Sequence, residues 1–249
     1  MEYVLDDTAA KRSNSCRPAI VVQARMGSTR LPGKVMLPLA QSSMLAFLLK
    51  RLFRVGVPVV VATSTQAVDD QVAELASDLG ACVVRGSEED VLSRFCLAAQ
   101  GFDAIVRICS DCPLSDPNMI DKALDLFYAH SLDYLSNTLH RTYPRGFDVE
   151  VVSVSSLEYS LEHARKPSER EHVTPYIIAH PEKFSQACFV SQEPMDHWRL
   201  TVDTQEDLSL IRKIVASSER LDYNSIVSLL RSHDSWREIN AHIQQKEVQ

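Results

Sequence analysis

Cationic residues follow a short apolar run near the start of this 249-residue chain. The run at residues 19–22 leads into a loop that carries Arg25, Arg30 and Lys34 among glycines and Pro32. Glycine permits close backbone approach and proline stiffens a loop, so this arrangement suits a bound polyphosphate. A solvated cationic edge is the plainer alternative, but surface charges rarely alternate with Gly, Ser and Pro directly after a buried strand.

The loop is not a Walker P-loop. One residue too many separates Gly27 from the pair Gly33 and Lys34, and Val35 stands where a Ser or Thr would reach magnesium. Both the spacing and the chemistry of that motif are therefore missing, and the basic loop needs another explanation.

Two acidic residues, Asp111 and Asp203, end other apolar runs, at 103–108 and 198–203. Ligands bind outside the carboxyl ends of the strands in open α/β sheets, so both acids are expected beside the basic loop. Each acid could pair with a cation, and Asp203 could simply cap the following helix. Beside a nucleoside triphosphate they would instead hold Mg²⁺, which takes one or two carboxylates plus phosphate oxygens.

The elements that must position these residues alternate between apolar runs and amphipathic stretches, which predicts an α/β fold with a doubly wound, mostly parallel sheet. Helices are predicted to begin after the caps Ser87 (with Asp90), Ser168 (with Glu171), Thr174 and Thr204, and Pro117 is expected in the first turn of another. The predicted strands are 19–22, 57–62, 81–84, 103–108, 133–138 and 198–203, and residues 143–153 are predicted to be a turn that leads into one more strand. The predicted helices are 43–54, 68–79, 88–100, 205–216, 222–231 and 234–246.

Length and composition set further bounds. Residues 18–249 fit one domain, and residues 1–17 are expected to be a disordered leader because they have neither an apolar core nor a signal pattern. The net charge of −7 argues against binding nucleic acid or an anionic membrane. The cysteines lie mostly in apolar runs, which indicates reduced core residues in a cytosol, and the Cys109/Cys112 pair lacks the second pair that a structural zinc site needs.

Residues 23–34, Gln-Ala-Arg-Met-Gly-Ser-Thr-Arg-Leu-Pro-Gly-Lys, resemble the signature of the spore-coat-polysaccharide-type cytidylyltransferases, relatives of the enzymes that make CMP-activated sialic acid and CMP-Kdo. Three later stretches resemble the same family in the same order. They are Ser110-Asp-Cys-Pro113, with Ser110 for the usual Gly, Phe147-Asp-Val-Glu-Val151, with Phe147 for Leu, and Trp198 to Asp207, with Gln205 for Pro. The resemblance implies a Rossmann-like nucleotidyltransferase fold, similar to GT-A, with a small lobe for the acceptor or for dimerisation.

The resemblance also implies roles for individual residues. Lys34, Arg25, Asp111 and Asp203 would be catalytic, and Asp111 and Asp203 would hold Mg²⁺. The residues expected to bind the nucleotide are Gln23, Arg25, Gly27, Ser28, Arg30, Lys34, Arg85 and Ser110. Those expected to bind the acceptor are Asp148, Glu150, Arg170 and His172; His172 is equally well read as a structural histidine.

The chemistry that the resemblance implies is attack of an acceptor oxygen on the α-phosphorus of CTP, with pyrophosphate leaving. The expected acceptor is a small acidic sugar used for surface polysaccharide or glycan synthesis. A phosphate or phosphonate acceptor is an alternative, as is a non-catalytic nucleotide-binding partner. The resemblance further implies a cytoplasmic homodimer.

Overall fold

The computed structural model describes residues 3–5 and 11–245. Ten strands are described: β1 Tyr3–Leu5, β2 Pro18–Gln23, β3 Pro38–Leu39, β4 Ser42–Ser43, β5 Val59–Ser64, β6 Cys82–Gly86, β7 Ala104–Cys109, β8 Tyr134–Ser136, β9 Glu150–Ser153 and β10 Gln186–Phe189. Eight of them form one sheet in the order β1-β10-β8-β9-β7-β2-β5-β6. Only β9 runs antiparallel to its neighbours in that sheet, which confirms the predicted mostly parallel α/β architecture.

Helices cover both faces of this sheet. They are α1 Met44–Leu52, α2 Asp70–Asp78, α3 Val91–Ala98, α4 Pro117–Ala129, α5 Val154–His163, α6 Pro167–His172, α7 Pro175–Ala179, α8 Gln205–Ser217, α9 Tyr223–Arg231 and α10 Asp234–Arg237. Within residues 3–5 and 11–245, no helix is long and apolar enough to cross a membrane.

The central strands are mostly apolar because each of their faces meets a helix layer. In β2, Ile20 and Val22 join the larger core cluster with α1, α4 and α8, whereas Val21 joins the smaller cluster with α3 and α5. The carboxyl ends of β2 and β7 consequently lie side by side, with Gln23 opposite Cys109. This register places the basic loop and the Ser110-Asp111 turn at one edge of the sheet.

Two predicted elements near the carboxyl end differ from the structure. Residues 198–203 are buried but form only an isolated bridge, Arg145 to Arg199, because their other backbone bonds go to loops. The predicted helix 234–246 is only α10, followed by turns. The Asn240 side chain there donates to Arg199 O and to Asp207.

The predicted caps are partly right. Pro117 and Thr204 stand where predicted, at the first turn of α4 and the N-cap of α8. Asp90 rather than Ser87 caps α3. Lys166, not Ser168, is the N-cap residue of α6, and its backbone N–H donates to the Glu169 carboxylate at 3.1 Å. Strand β10 is absent from the predicted elements; a short apolar run at 187–190 is its sequence signal.

Some residues of the expected leader have regular partners in the structure. Strand β1 pairs in parallel with β10, and Lys11 and Arg12 form ion pairs with Asp121 and Asp125 on α4. Residues 1, 2 and 6–10, which also belong to the expected leader, lie outside the described residues.

At Gly146 the turn before β9 packs closely against segment 198–203. Its φ is +103°, and a Cβ there would meet the backbone carbonyl of Leu200 at 2.5 Å and Thr201 N at 2.8 Å. We expect Gly146→Ala to lower the free energy of unfolding by about 3 kcal/mol, combining backbone strain with overpacking. Gly101→Ala is the matched control for denaturant unfolding, since φ is +85° but nothing lies within 4 Å. Equal losses in the two variants would contradict the close approach at Gly146.

Candidate active site

A cleft of about 860 Å³ opens at the carboxyl edge of β2 and β7. It is bounded by the basic loop on one side and by α6 on the other. The sequence-predicted site residues that line it are Gln23, Arg25, Gly27, Ser28, Arg30, Lys34, Ser110, Asp111, His172 and Asp203. The structure therefore brings together the basic loop, both predicted metal ligands and one predicted acceptor residue.

The basic loop is held in shape by its own backbone and by Asp69. Met26 O accepts bonds from Ser28 N at 2.9 Å and Gly33 N at 3.2 Å, and Gly33 has φ +65°. The buried Asp69 carboxylate accepts Met26 N at 2.6 Å and also Ser64 Oγ. Asp69 thus ties the loop to the end of β5, a role that no local spacing in the sequence indicates.

The Lys34 side chain is buried between the two predicted metal ligands. Its ammonium donates to Asp111 Oδ2 at 3.0 Å, Asp203 Oδ1 at 2.8 Å and Val202 O at 2.9 Å. The two carboxylate oxygens are therefore no more than 5.8 Å apart, the two bonds added end to end. Burial lowers the pKa of Lys34, but the charges of Asp111 and Asp203 outweigh it and raise the pKa, so the ammonium stays charged.

Backbone bonds explain how two acids so distant in sequence meet. Val202 N donates to Asp111 O at 2.8 Å, and the Thr201 hydroxyl donates to the same carbonyl at 3.1 Å. Segment 198–203 therefore lies along the turn after β7. The Thr204 cap then turns the chain into α8 directly after Asp203.

The second oxygen of Asp203 is held by two arginines. Asp203 Oδ2 contacts Arg30 at 2.8 Å and Arg199 at 2.7 Å. Arg199 is itself held through Nε at 2.9 Å by Asp207, which has no exposed surface. Burial raises the pKa of Asp203, but the charge and hydrogen bond of Lys34, the hydrogen bond of Arg199 and the charge of Arg30 outweigh it and lower the pKa. Asp203 is therefore ionised.

The donor chemistry of Asp111 and Asp203 fits a divalent ion. Magnesium prefers hard oxygen ligands and commonly binds through one or two carboxylates with water and phosphate. Among residues 3–5 and 11–245, no group of three or more His, Cys, Asp or Glu side chains could hold a metal. An ion at the pair would thus take its other ligands from water and a bound phosphate.

Comparison with known proteins shows what this cleft belongs to. The profile of the family described as "Cytidylyltransferase" matches residues 19–240. The chain belongs to the cytidylyltransferase family. It is 34% identical over 234 residues to an uncharacterized protein of Methanocaldococcus jannaschii (91% of this chain, 95% of that one). It is also 34% identical over 224 residues to the spore coat polysaccharide biosynthesis protein SpsF of Bacillus subtilis (84% and 92%).

A solved cytidylyltransferase from Leptospira borgpetersenii superposes with a TM-score of 0.84 at 34% identity, covering 93% of this chain and 100% of that one. Partial similarity extends to the 3-deoxy-manno-octulosonate cytidylyltransferase of Trichlorobacter lovleyi, 32% identical over 111 residues, 43% of each chain. The family resemblance carried by the motifs is confirmed, and the chain is a CTP-dependent nucleotidyltransferase.

One residue expected to bind the nucleotide lies away from the cleft of this cytidylyltransferase. The Arg85 guanidinium donates to Ser64 O at 2.8 Å and Gln66 O at 3.0 Å, and it pairs with Asp70 at 2.7 Å. These bonds tie the end of β6 to the turn before α2. Arg85 is therefore placed as a structural residue.

Three residues expected to bind the acceptor also lie outside the cleft lining. Asp148 forms a bidentate ion pair with Arg141. Arg170 forms an ion pair with Asp90 and donates to Leu161 O. Asp148 precedes β9, so the expected shared strand face with Glu150 is absent. Neither Asp148 nor Arg170 lines the cleft, so the structure does not bring them together with the basic loop.

Glu150 is a buried structural acid. Its carboxylate pairs with Arg107 and accepts Tyr134 OH at 2.7 Å and Thr174 Oγ1 at 2.9 Å. Burial raises the pKa of Glu150, but the Arg107 charge outweighs it and lowers the pKa. Glu150 instead fixes Arg107, which does line the cleft.

We expect Glu150→Gln to lower the free energy of unfolding by about 3 kcal/mol, because it leaves the Arg107 charge buried without its partner. Asp148→Asn is the matched control; it removes a partly exposed ion pair and should cost under about 1 kcal/mol in the same denaturant titration. A Glu150→Gln variant as stable as wild type, with impaired acceptor use alone, would restore the acceptor-binding role.

The side of the cleft that faces the basic loop is built from α6 and β7. His172 lines it, and burial lowers the pKa of this half-buried ring. The next residue, Val173, has φ +73° inside a γ-turn closed by Thr174 N to His172 O at 2.9 Å, a strained shape for a β-branched side chain. The other lining residues, none of them predicted as a site residue, are Thr29, Arg107, Cys109, Pro167, Ser168, Glu171 and Gln245.

Proposed function

We propose that this cytidylyltransferase transfers CMP from CTP to a small acidic sugar and releases pyrophosphate. One observation supports the proposal most: the Lys34 ammonium lies within 3.0 Å of carboxylate oxygens of both Asp111 and Asp203, in a cleft lined by the basic loop. Cations and a pair of metal-binding carboxylates at one point are what a nucleotidyl transfer needs, because negative charge builds on the departing pyrophosphate.

In this proposal the basic loop binds the triphosphate. Arg25, Arg30 and Lys34 stabilise its charge, and the backbone around Gly27 approaches the phosphates closely. Asp111 and Asp203 would hold Mg²⁺, which when bound neutralises phosphate charge and makes the α-phosphorus a better electrophile. The Asp69 carboxylate holds the loop against the end of β5.

The acceptor is proposed to enter from the α6 side, where His172, Arg107 and Ser168 line the cleft. A neutral His172 could accept the proton of the attacking hydroxyl, consistent with its lowered pKa. An acidic sugar is favoured by the partial similarity to 3-deoxy-manno-octulosonate cytidylyltransferase and by the polysaccharide role named for SpsF. Cytoplasmic location and assembly as a homodimer stay predictions.

Pyrophosphate release measured with CTP, UTP, ATP and GTP across an acceptor panel tests the proposal. The panel contains acidic sugars, 3-deoxy-manno-octulosonate among them, and also sugar phosphates and phosphonates. We expect turnover with CTP and an acidic sugar, far above the other nucleotides. Comparable pyrophosphate release from ATP or GTP would contradict the proposed preference for CTP. Turnover confined to phosphate or phosphonate acceptors would show that the acceptor is not an acidic sugar.

A further inference from the structure

All hydrogen-bonding capacity of the Lys34 ammonium is already used. An ammonium has three N–H donors, and those of Lys34 have three partners within 3.0 Å: Asp111, Asp203 and the carbonyl of Val202. Lys34 therefore cannot donate to a phosphate without releasing one of these partners. The carboxylates, in turn, cannot both face a metal ion while the ammonium stands between them.

The charges around Asp203 balance without any metal. Lys34, Arg30 and Arg199 are the cations in contact with Asp203, and the acids that face them are Asp111, Asp203 itself and Asp207. Three positive charges thus meet three negative charges. A divalent ion that entered alone would bring surplus positive charge into a partly buried site and would displace cations left without partners.

Binding of the triphosphate without a metal ion would leave negative charges unpaired. If it drew Lys34 and Arg30 away by itself, Asp111 and Asp203 would be left as unpaired acids beside the phosphate charge. When nucleotide and metal arrive together, each displaced group finds a new partner: the cations take phosphate oxygens and the carboxylates take the metal. Only the joint exchange leaves every charge paired.

Arg199 differs from the other two cations because Asp207 holds it in place. Its Nε and one terminal nitrogen contact both oxygens of Asp207, at 2.9 and 3.0 Å. Asp207 also accepts the backbone N–H of Asp203 at 2.9 Å. Arg199 does not line the cleft and stays on Asp203 Oδ2, so Asp203 Oδ1, now on Lys34, is the oxygen that the exchange frees.

We propose that Lys34 and Arg30 are exchangeable cations that keep the metal position closed until the nucleotide arrives, so that CTP and the divalent ion bind cooperatively. This inference rests on the proposed function, since it takes CTP as the nucleotide. It predicts coupling between the two ligands that is reciprocal, as thermodynamic linkage requires.

The first test measures binding of Mn²⁺, used as a probe for Mg²⁺, to the nucleotide-free protein by electron paramagnetic resonance. Lys34→Met keeps the length of the side chain and removes its charge, so it should bind Mn²⁺ at least about tenfold more tightly than wild type. Lys50→Met is the matched control, because Lys50 is exposed on α1, and it should leave Mn²⁺ affinity unchanged. Adding Asp111→Asn to Lys34→Met should remove the gain.

The second test measures CTP affinity by calorimetry with and without Mg²⁺. Wild type should bind CTP at least about tenfold more tightly with the ion, and Lys34→Met should show a smaller ratio. Unchanged Mn²⁺ affinity in Lys34→Met, or a wild-type CTP affinity indifferent to Mg²⁺, would overturn the inference.

The two tests separate failure of this inference from failure of the proposed function. Turnover of CTP by wild type, with no gain of Mn²⁺ binding in Lys34→Met, would overturn the exchange and leave the function in place. A gain of Mn²⁺ binding in Lys34→Met, with no CTP binding by wild type, would support the closed metal position and overturn the choice of nucleotide.

Discussion

Asp203→Asn and Asp111→Asn should each lower kcat by about a thousandfold, roughly 4 kcal/mol of transition-state stabilisation. Each variant removes a charged oxygen from the position where the two carboxylates face one ammonium. Affinity for CTP without metal should stay the same or rise, because the substitution frees Lys34 for the phosphates and removes a negative charge near them. Steady-state kinetics with metal-free CTP titrations measure both effects.

Asp196→Asn is the matched control for these variants. Asp196 lies in the segment that leads to Asp203 but is exposed, so its kcat should equal that of wild type. An Asp203→Asn enzyme that kept wild-type kcat at saturating Mg²⁺ would rule out Asp203 as a metal ligand.

Lys34→Met should lower kcat/KM by about 150-fold, close to 3 kcal/mol, the scale for losing one preorganised electrostatic donor. The Lys34 ammonium is the only group that contacts both Asp111 and Asp203 among the ion pairs of residues 3–5 and 11–245. In the proposed exchange it moves to the phosphates, so its loss is felt most as charge develops on the leaving pyrophosphate.

The comparison for that variant is Lys50→Met, which should keep wild-type kcat/KM. Thermal unfolding of both variants checks that the fold is intact. Unchanged catalytic efficiency in a folded Lys34→Met enzyme would exclude Lys34 from the chemistry.

The parts of this site that the sequence predicts share one physical basis. A buried parallel strand is a continuous apolar run, and the residues directly after it must lie at the carboxyl edge of the sheet. That reasoning leads correctly from residues 19–22 to the basic loop and from residues 103–108 to Asp111. For Asp203 it succeeds although residues 198–203 are not a strand, because the bond from Val202 N to Asp111 O holds this buried segment against the turn after β7.

Two of the misplaced residues, Arg170 and Glu150, are charged side chains whose partners are remote in sequence. Arg170 is paired with Asp90 and Glu150 with Arg107, across 80 and 43 residues, and no local spacing shows that they are occupied. Arg199 and Asn240 are not predicted as part of the site. Arg199 lies in a predicted strand and Asn240 in a predicted helix, and neither position shows which partners the side chain contacts. Their function depends on tertiary contacts with Asp203 and Asp207.

Diffraction from crystals of the wild-type enzyme grown with CTP and Mn²⁺ tests the central claim most directly. The anomalous signal of manganese should lie between the carboxylates of Asp111 and Asp203, about 2.2 Å from an oxygen of each, with the triphosphate on the basic loop and Lys34 moved onto it. A triphosphate bound elsewhere, or an ion remote from both aspartates while Lys34 still joins them, would contradict the account.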